Sequence, residues 1–118
     1  KRALTLNQEA QLKPCVDIPR LANITLEMVK VSLDSLVNRD PQMARQVCLR
    51  DDEADDLNDR IIRELIEYML DDRANIKRAL DIIQVSRDLE RIADHATNVA
   101  EVVIYMVEGK DIRHSRGK

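Results

Sequence analysis

Two acidic stretches have the residue types and the spacing for cation chemistry. The first, DDEADDLND at 51–59, holds six acidic residues and no basic one. The second, RDLERIADHATNVAE at 87–101, sets Glu90, Asp94 and Glu101 at helical spacing among small and aliphatic side chains. Asp is a poor helix former, and like charges four apart on a helix repel by a few tenths of a kcal/mol per pair. Asp51 with Asp55, Asp52 with Asp56, and Asp55 with Asp59 all stand in that relation. Arg60 and Arg63 lie four beyond Asp56 and Asp59 and can form ordinary surface pairs. Asp51, Asp52 and Asp55 have no such partner at that spacing, so something else has to offset their repulsion.

At about 100° per residue, Asp51 falls within the apolar stripe of its helix and Asp55 on the border, while Asp52 and Asp56 point further outward. On the later helix Arg87, Glu90, Asp94, Asn98 and Glu101 share one narrow band, opposite Leu89, Ile92, Ala96, Val99 and Val103. Taken alone, such a band is most often a solvated face, with Arg87 and Arg91 pairing to Glu90 and Asp94. The two stretches together read differently. If the chain turns near Asp72, Asp51 and Asp55 lie about 19 residues before the turn and Glu90 and Asp94 about 20 after it. Both pairs then sit at the same height, roughly 29 Å from the turn. Two carboxylate pairs spaced i,i+4 on adjacent antiparallel helices form a field of hard oxygen donors, and a cation is the natural relief. Asp51, Asp55, Glu90 and Asp94 are the candidate ligands.

The elements that must position them are helices. The composition, with no Phe or Trp, two Gly and 35% charged residues, favours an all-α fold. Pro14 and Pro19 in QLKPCVDIP at 11–19 predict a linker, with Asp17 capping a first helix over about 18–38 whose apolar stripe is Leu21, Ile24, Met28, Val31 and Leu36. Asp40 and Pro41 open a second helix running to about residue 71, with Val47, Ala54, Leu57, Ile61, Leu65 and Met69 along one face. Asp72 can cap a third, from Ala74 to Glu108, which contains neither Gly nor Pro and stops at Gly109. It spans roughly 52 Å. Such short links make the helices antiparallel neighbours in an up-down-up three-helix bundle. The start, KRALTLNQE, is itself helix-like and implies that the chain begins inside a longer gene product. This divides the chain into a leading helical remnant and linker at 1–16, the bundle at 17–112 and a polar, basic tail at 113–118.

The same residues exclude other classes. A net charge of −3 with mixed signs and no basic, aromatic stripe argues against nucleic-acid binding. The longest apolar runs, such as VVIYMV at 102–107, are far shorter than the roughly 20 residues a membrane span needs. Cys15 and Cys48 lack a CxxC or Cys/His spacing and read as isolated thiols. There is no nucleophile elbow, no phosphate-cradling Gly-rich loop, and no Glu-x-x-His pair of a di-iron oxidase, so no catalytic centre is predicted. His95 is rotated away from the carboxylate band, and His114 lies in the tail.

DLERIADHATNVAE at 88–101, followed by VVIYMVEGKDIRH at 102–114, closely resembles the last helix and tail of the PhoU family of phosphate-transport regulators. RDDEADDL at 50–57 is similar to the family's other acidic motif, and LKPCVDIPRLA at 12–22 to the connection between its two repeats. The resemblance covers nearly the whole chain. It implies a PhoU-like three-helix repeat, the second of two, and a metal site matching Asp51 with Asp55 and Glu90 with Asp94, with Asn98 and Glu101 as further participants. The metal would be Fe, Zn, Mn or Mg. It also implies a cytoplasmic, non-enzymatic negative regulator of the phosphate-starvation response. Such a regulator contacts the ATPase subunit of the phosphate transporter and a sensor histidine kinase, meets the membrane only through these partners, and forms a homodimer. A carboxylate-bridged metalloenzyme and a purely structural dimerisation module, its acidic faces merely solvated, are the rival readings.

Overall fold

The computed structural model describes residues 13–109, with side chains from residue 17 onward. The fragment KRALTLNQE and the tail at 113–118 lie outside the described residues. Within them the chain forms α1 (Lys13–Asn38), α2 (Pro41–Asp71), a 3-10 turn (Arg73–Asn75) and α3 (Ile76–Glu108). Each helix packs against both others, giving the expected all-α, up-down-up bundle.

Its junctions follow from local chemistry. Asp40 Oδ1 accepts from the backbone N–H groups of Gln42 at 3.0 Å and Met43 at 3.3 Å, with Pro41 at the first helical position where its missing N–H is no loss. The reversal before it is tight. Arg39 takes a left-handed φ of 53°, and Asp40 N–H returns to Ser35 C=O at 2.9 Å. At the second link Asp72 Oδ1 accepts from Ala74 N–H at 2.9 Å, and Asn75 Nδ2 donates to Tyr68 C=O at 2.9 Å. Gly109 adopts the left-handed cap, φ 70°, that stops α3.

The start of α1 departs from expectation. No linker separates residues 13–19 from the helix, which runs through Pro19. Pro14 falls in the first turn, where an N–H has no helical partner, and Pro19 is exposed one turn further on, so the ring forfeits a single backbone bond near the helix end. Asp17 is consequently not a cap. Its carboxylate reaches α2 and pairs with Arg60 at 3.6 Å.

The core comprises Leu21, Ile24 and Met28 of α1, Ala44, Val47, Ala54, Leu57, Ile61 and Leu65 of α2, and Ala79, Ala93, Ala96, Ala100, Val103 and Ile104 of α3. Val31 and Met69 are half-buried and Leu36 is exposed, because the stripes of α1 and α2 drift out of the core towards their C-terminal ends. On α3 the buried face is rotated from the predicted one. Ser86, Ala93 and Ala100, each seven apart, lie at its centre, Leu89 and Val99 are only half-buried, and Ile92 is 42% exposed. Small side chains win the centre because they let the helix backbones approach closely, and the larger aliphatics are displaced to the flank. Ala93→Leu should therefore cost about 1–3 kcal/mol through overpacking. Ile92→Ala should cost less than about 0.5 kcal/mol, as surface changes do. Urea denaturation of both variants checks the ranking, and an equal loss would mean that the buried face is misassigned.

Candidate metal site

The rotation of α3 carries its acidic band from the outer surface to the edge of the α2–α3 seam. Asp51 and Asp55 project from α2 one turn apart, and Asp94 faces them from α3. One carboxylate oxygen from each of the three lies within 4.8 Å of the others. Asp51 and Asp55 are half-buried, and Asp94 is exposed, so the cluster is open to water at Asp94. Register explains the meeting. Ser86 lies opposite Asn58, Glu90 opposite Asp55, and Asp94 opposite Asp51, so each turn down α2 is matched by one turn up α3.

Of the other candidates, Glu90 is half-buried and adjoins Asp55, but is not one of the 4.8 Å trio. Glu101 is half-buried and also outside the trio, and Asn98 is exposed. Two of the arginines read as possible surface partners, Arg91 and Arg60, pair with other acids. Arg91 pairs with Asp88 at 3.6 Å and Arg60 with Asp17, while Arg50 bridges Glu27 at 2.9 Å and Glu53 at 3.1 Å on the α1 side of α2.

The electrostatic consequence is a pair of reluctant acids. Burial, then the neighbouring charges of Asp55 and Asp94, push the Asp51 carboxyl up to about 6, against a smaller opposing pull from the Thr97 hydroxyl. Burial, then the charge of Glu90 and its hydrogen bond, push Asp55 to about 6 as well. Thr97 Oγ1 also donates to Ala93 C=O at 3.1 Å, and Asp51 Oδ1 is buried without a hydrogen-bond partner. An orphaned carboxylate oxygen among like charges fits a hard cation, which would supply the missing positive partner. Asp51, Asp55 and Asp94 are the residues that would hold it, with Glu90 adjoining.

The sequence reading missed Asn58, Ser86 and Thr97, all of which border this cluster. Asn58 and Ser86 are buried polar residues bonded to each other across the seam, and Asn58 Nδ2 donates to Glu90 Oε1 at 3.1 Å. Both stand about 14 residues from the turn at Asp72, one before and one after, and that equality was readable by the same height count.

Comparison with known proteins bears on what carries such a cluster. The family model for the PhoU domain matches residues 18–103. The chain belongs to the PhoU family. Proteins named phosphate-specific transport system accessory protein PhoU homolog are similar to it along most of its length. That of Aquifex aeolicus is 44% identical, covering 100% of this chain and 53% of the relative. Homolog 2 of Thermotoga maritima is 40% identical, covering 93% of this chain and 47% of its own length. For the Deinococcus radiodurans homolog the figures are 43%, 88% and 49%. The chain thus spans about half the length of the curated relatives it matches. The PhoU-domain match includes every residue of the acidic trio and of its Asn58–Ser86 border. Among the described residues no helix is long and apolar enough to cross a membrane.

The raised carboxyls make cation-free stability depend on pH. An Asp with a folded-state pKa near 6 and an unfolded value near 3.8 is protonated in the folded chain between those values while the unfolded chain has lost its proton. Its ionisation penalty is absent below about pH 4, grows as pH rises to about 6, and is full above that. In EDTA, Asp51→Asn/Asp55→Asn should melt above the wild type at pH 7.5. The gap should close as pH falls from 6 to 4. Thermal denaturation across pH 4–8 checks this, and a gap independent of pH would contradict it.

Proposed function

We propose that the chain is a cation-binding regulatory module of phosphate uptake, without catalytic chemistry of its own. The single observation that carries the cation reading is the meeting of Asp51, Asp55 and Asp94, one carboxylate oxygen of each within 4.8 Å of the others. All donors are oxygens, which favours Mg²⁺, Mn²⁺ or Fe and accommodates Zn²⁺ less well than a site with nitrogen or sulfur ligands. Glu90 joins the ligand set, and Glu101 and Asn98 lie further along the same helix and can extend it. Bound cation removes the repulsion between α2 and α3, so its first effect is on the stability of the seam.

The phosphate role comes from the relatives, whose names place them with phosphate-specific transport as accessory proteins. In that role the module acts in the cytoplasm as a negative regulator, by contact with the transporter's ATPase subunit and with a sensor histidine kinase, and it assembles as a homodimer. What supports action through contacts is the apolar surface outside the core. Leu26, Leu33 and Val37 of α1 are exposed at helical spacing, as are Val85 and Ile92 of α3, and an exposed apolar stripe suits association with another protein.

The test is metal dependence. At a concentration 100 times its Kd, a single bound cation adds about 2.7 kcal/mol of stability. Mn²⁺ should raise the melting temperature of the wild type at pH 7.5 and leave Asp51→Ala/Asp94→Ala unmoved. Equal melting temperatures and equal metal content in the two proteins would reject the site in favour of a purely structural module. In cells, the same double substitution in the full-length protein should release phosphate-starvation genes from repression in phosphate-rich medium.

A further inference from the structure

A buried polar pair ties the two helices together one turn from the acidic trio. Asn58 is 3% exposed and Ser86 fully buried. Their orientation is dictated by chemistry. The Glu90 carboxyl oxygen Oε1 accepts from the Asn58 NH₂ group at 3.1 Å, which turns Asn58 Oδ1 to the Ser86 hydroxyl, and that hydroxyl donates to it. Turning the amide over would set Oδ1 against the Glu90 carboxylate and lose that bond, while the Ser86 hydroxyl could still accept from the NH₂ group. Glu90 is thereby held at one oxygen by a rigid donor while its head group adjoins Asp55.

That arrangement discriminates between cations. Ca²⁺ takes six to eight oxygens at 2.3–2.6 Å and commonly recruits a carboxylate through both of its oxygens. Mg²⁺ requires a near-octahedral shell at 2.0–2.1 Å, keeps several waters, and needs only single oxygens from its carboxylates. For Glu90 to present both oxygens to one ion, Oε1 must leave Asn58 and strand a donor that has no access to water. A cation satisfied by one oxygen leaves the bond intact, and the exposed side at Asp94 admits the waters such a cation retains.

We propose that Asn58, aimed by Ser86, is a positioning residue that restricts Glu90 to one-oxygen coordination and so biases the site towards small six-coordinate cations, Mg²⁺ or Mn²⁺, over Ca²⁺. This rests on the cation-binding reading above. Asn58→Leu removes both hydrogen bonds with little change in volume, and the freed Ser86 hydroxyl can bond the carbonyl one turn back on its own helix.

Calorimetric titration of Mn²⁺ and of Ca²⁺ into the wild type, Asn58→Leu, Ser86→Ala, Glu90→Ala and the Asn58→Leu/Glu90→Ala double variant tests it. The ratio of Ca²⁺ to Mn²⁺ Kd should fall at least fivefold in Asn58→Leu and at least twofold in Ser86→Ala. In the Glu90→Ala background Asn58→Leu should leave the ratio unchanged, because the residue through which it acts is gone. If Asn58→Leu does not fold, as judged by its circular dichroism, the milder Ser86→Ala carries the test. Binding of both cations with an unaltered ratio in the folded variants overturns this proposal alone, as does an equal shift with and without Glu90. A wild type that binds neither cation overturns the cation reading as well.

Discussion

The close approach of α2 and α3 along a seam of small side chains is the constraint on which the molecule turns. Ala79, Ser86, Ala93 and Ala100 recur every seventh residue on α3, a period near two helical turns, and so keep one face towards its neighbours for most of the helix. Bulk at these positions would separate the axes, and groups flanking the seam would then fall out of reach of one another. Because the seam is narrow, residues on its border meet across it in a fixed antiparallel register: Ser86 with Asn58, Glu90 with Asp55, Asp94 with Asp51. Arg45 and Glu108, paired at 2.5 Å, join the same two helices outside this ladder, with Glu108 about two turns beyond the position that faces Arg45 in its register.

Such a seam makes the acidic cluster both possible and expensive. Three carboxylates whose oxygens lie within 4.8 Å repel one another, and the half-burial of Asp51 and Asp55 deprives them of the water that would screen the repulsion. Against this stands the apolar core beneath, from Leu21 and Met28 to Leu65 and Ile104. Stability is supplied in one layer and spent in another, a division common at functional sites. Folding and ligand binding are then linked, since whatever neutralises the carboxylates, proton or cation, also stabilises the fold.

Much of this was legible before the structure. Asp40–Pro41, Asp72 and Gly109 announce the ends of the helices because capping is a contest of a few neighbouring atoms, and the height of the carboxylates follows from a rise per residue that tertiary contacts hardly alter. What failed were inferences that depend on the partner helix. Ile92 reads as core and is exposed, whereas Ala93, outside the predicted stripe, is buried, since hydrophobicity ranks residues by what they gain from burial and says nothing about how closely two backbones must pass. Pro14 and Pro19 read as marking a linker ahead of α1, yet the helix runs through both, because the penalty for a lost bond falls close to a helix end. Asn58 was unmarked for a third reason. A single amide inside an apolar stripe has no periodic signature, and only its partners on α3 give it meaning.

The error about Ile92 has a functional corollary. Had the large aliphatics of α3 been buried, its acidic band would have pointed straight outward, each carboxylate solvated and remote from α2, and no cluster would exist. Rotating the helix so that Ala93 faces inward does two things together: it swings Glu90 and Asp94 to the border with α2 and turns Val85 and Ile92 out on the opposite flank. The charged site and the apolar surface are thus two edges of one helix, fixed by the same rotation. Neither edge can be repositioned without moving the other, so a ligand that anchors α3 against α2 at Asp94 also fixes the angle at which Ile92 is presented to whatever covers that surface.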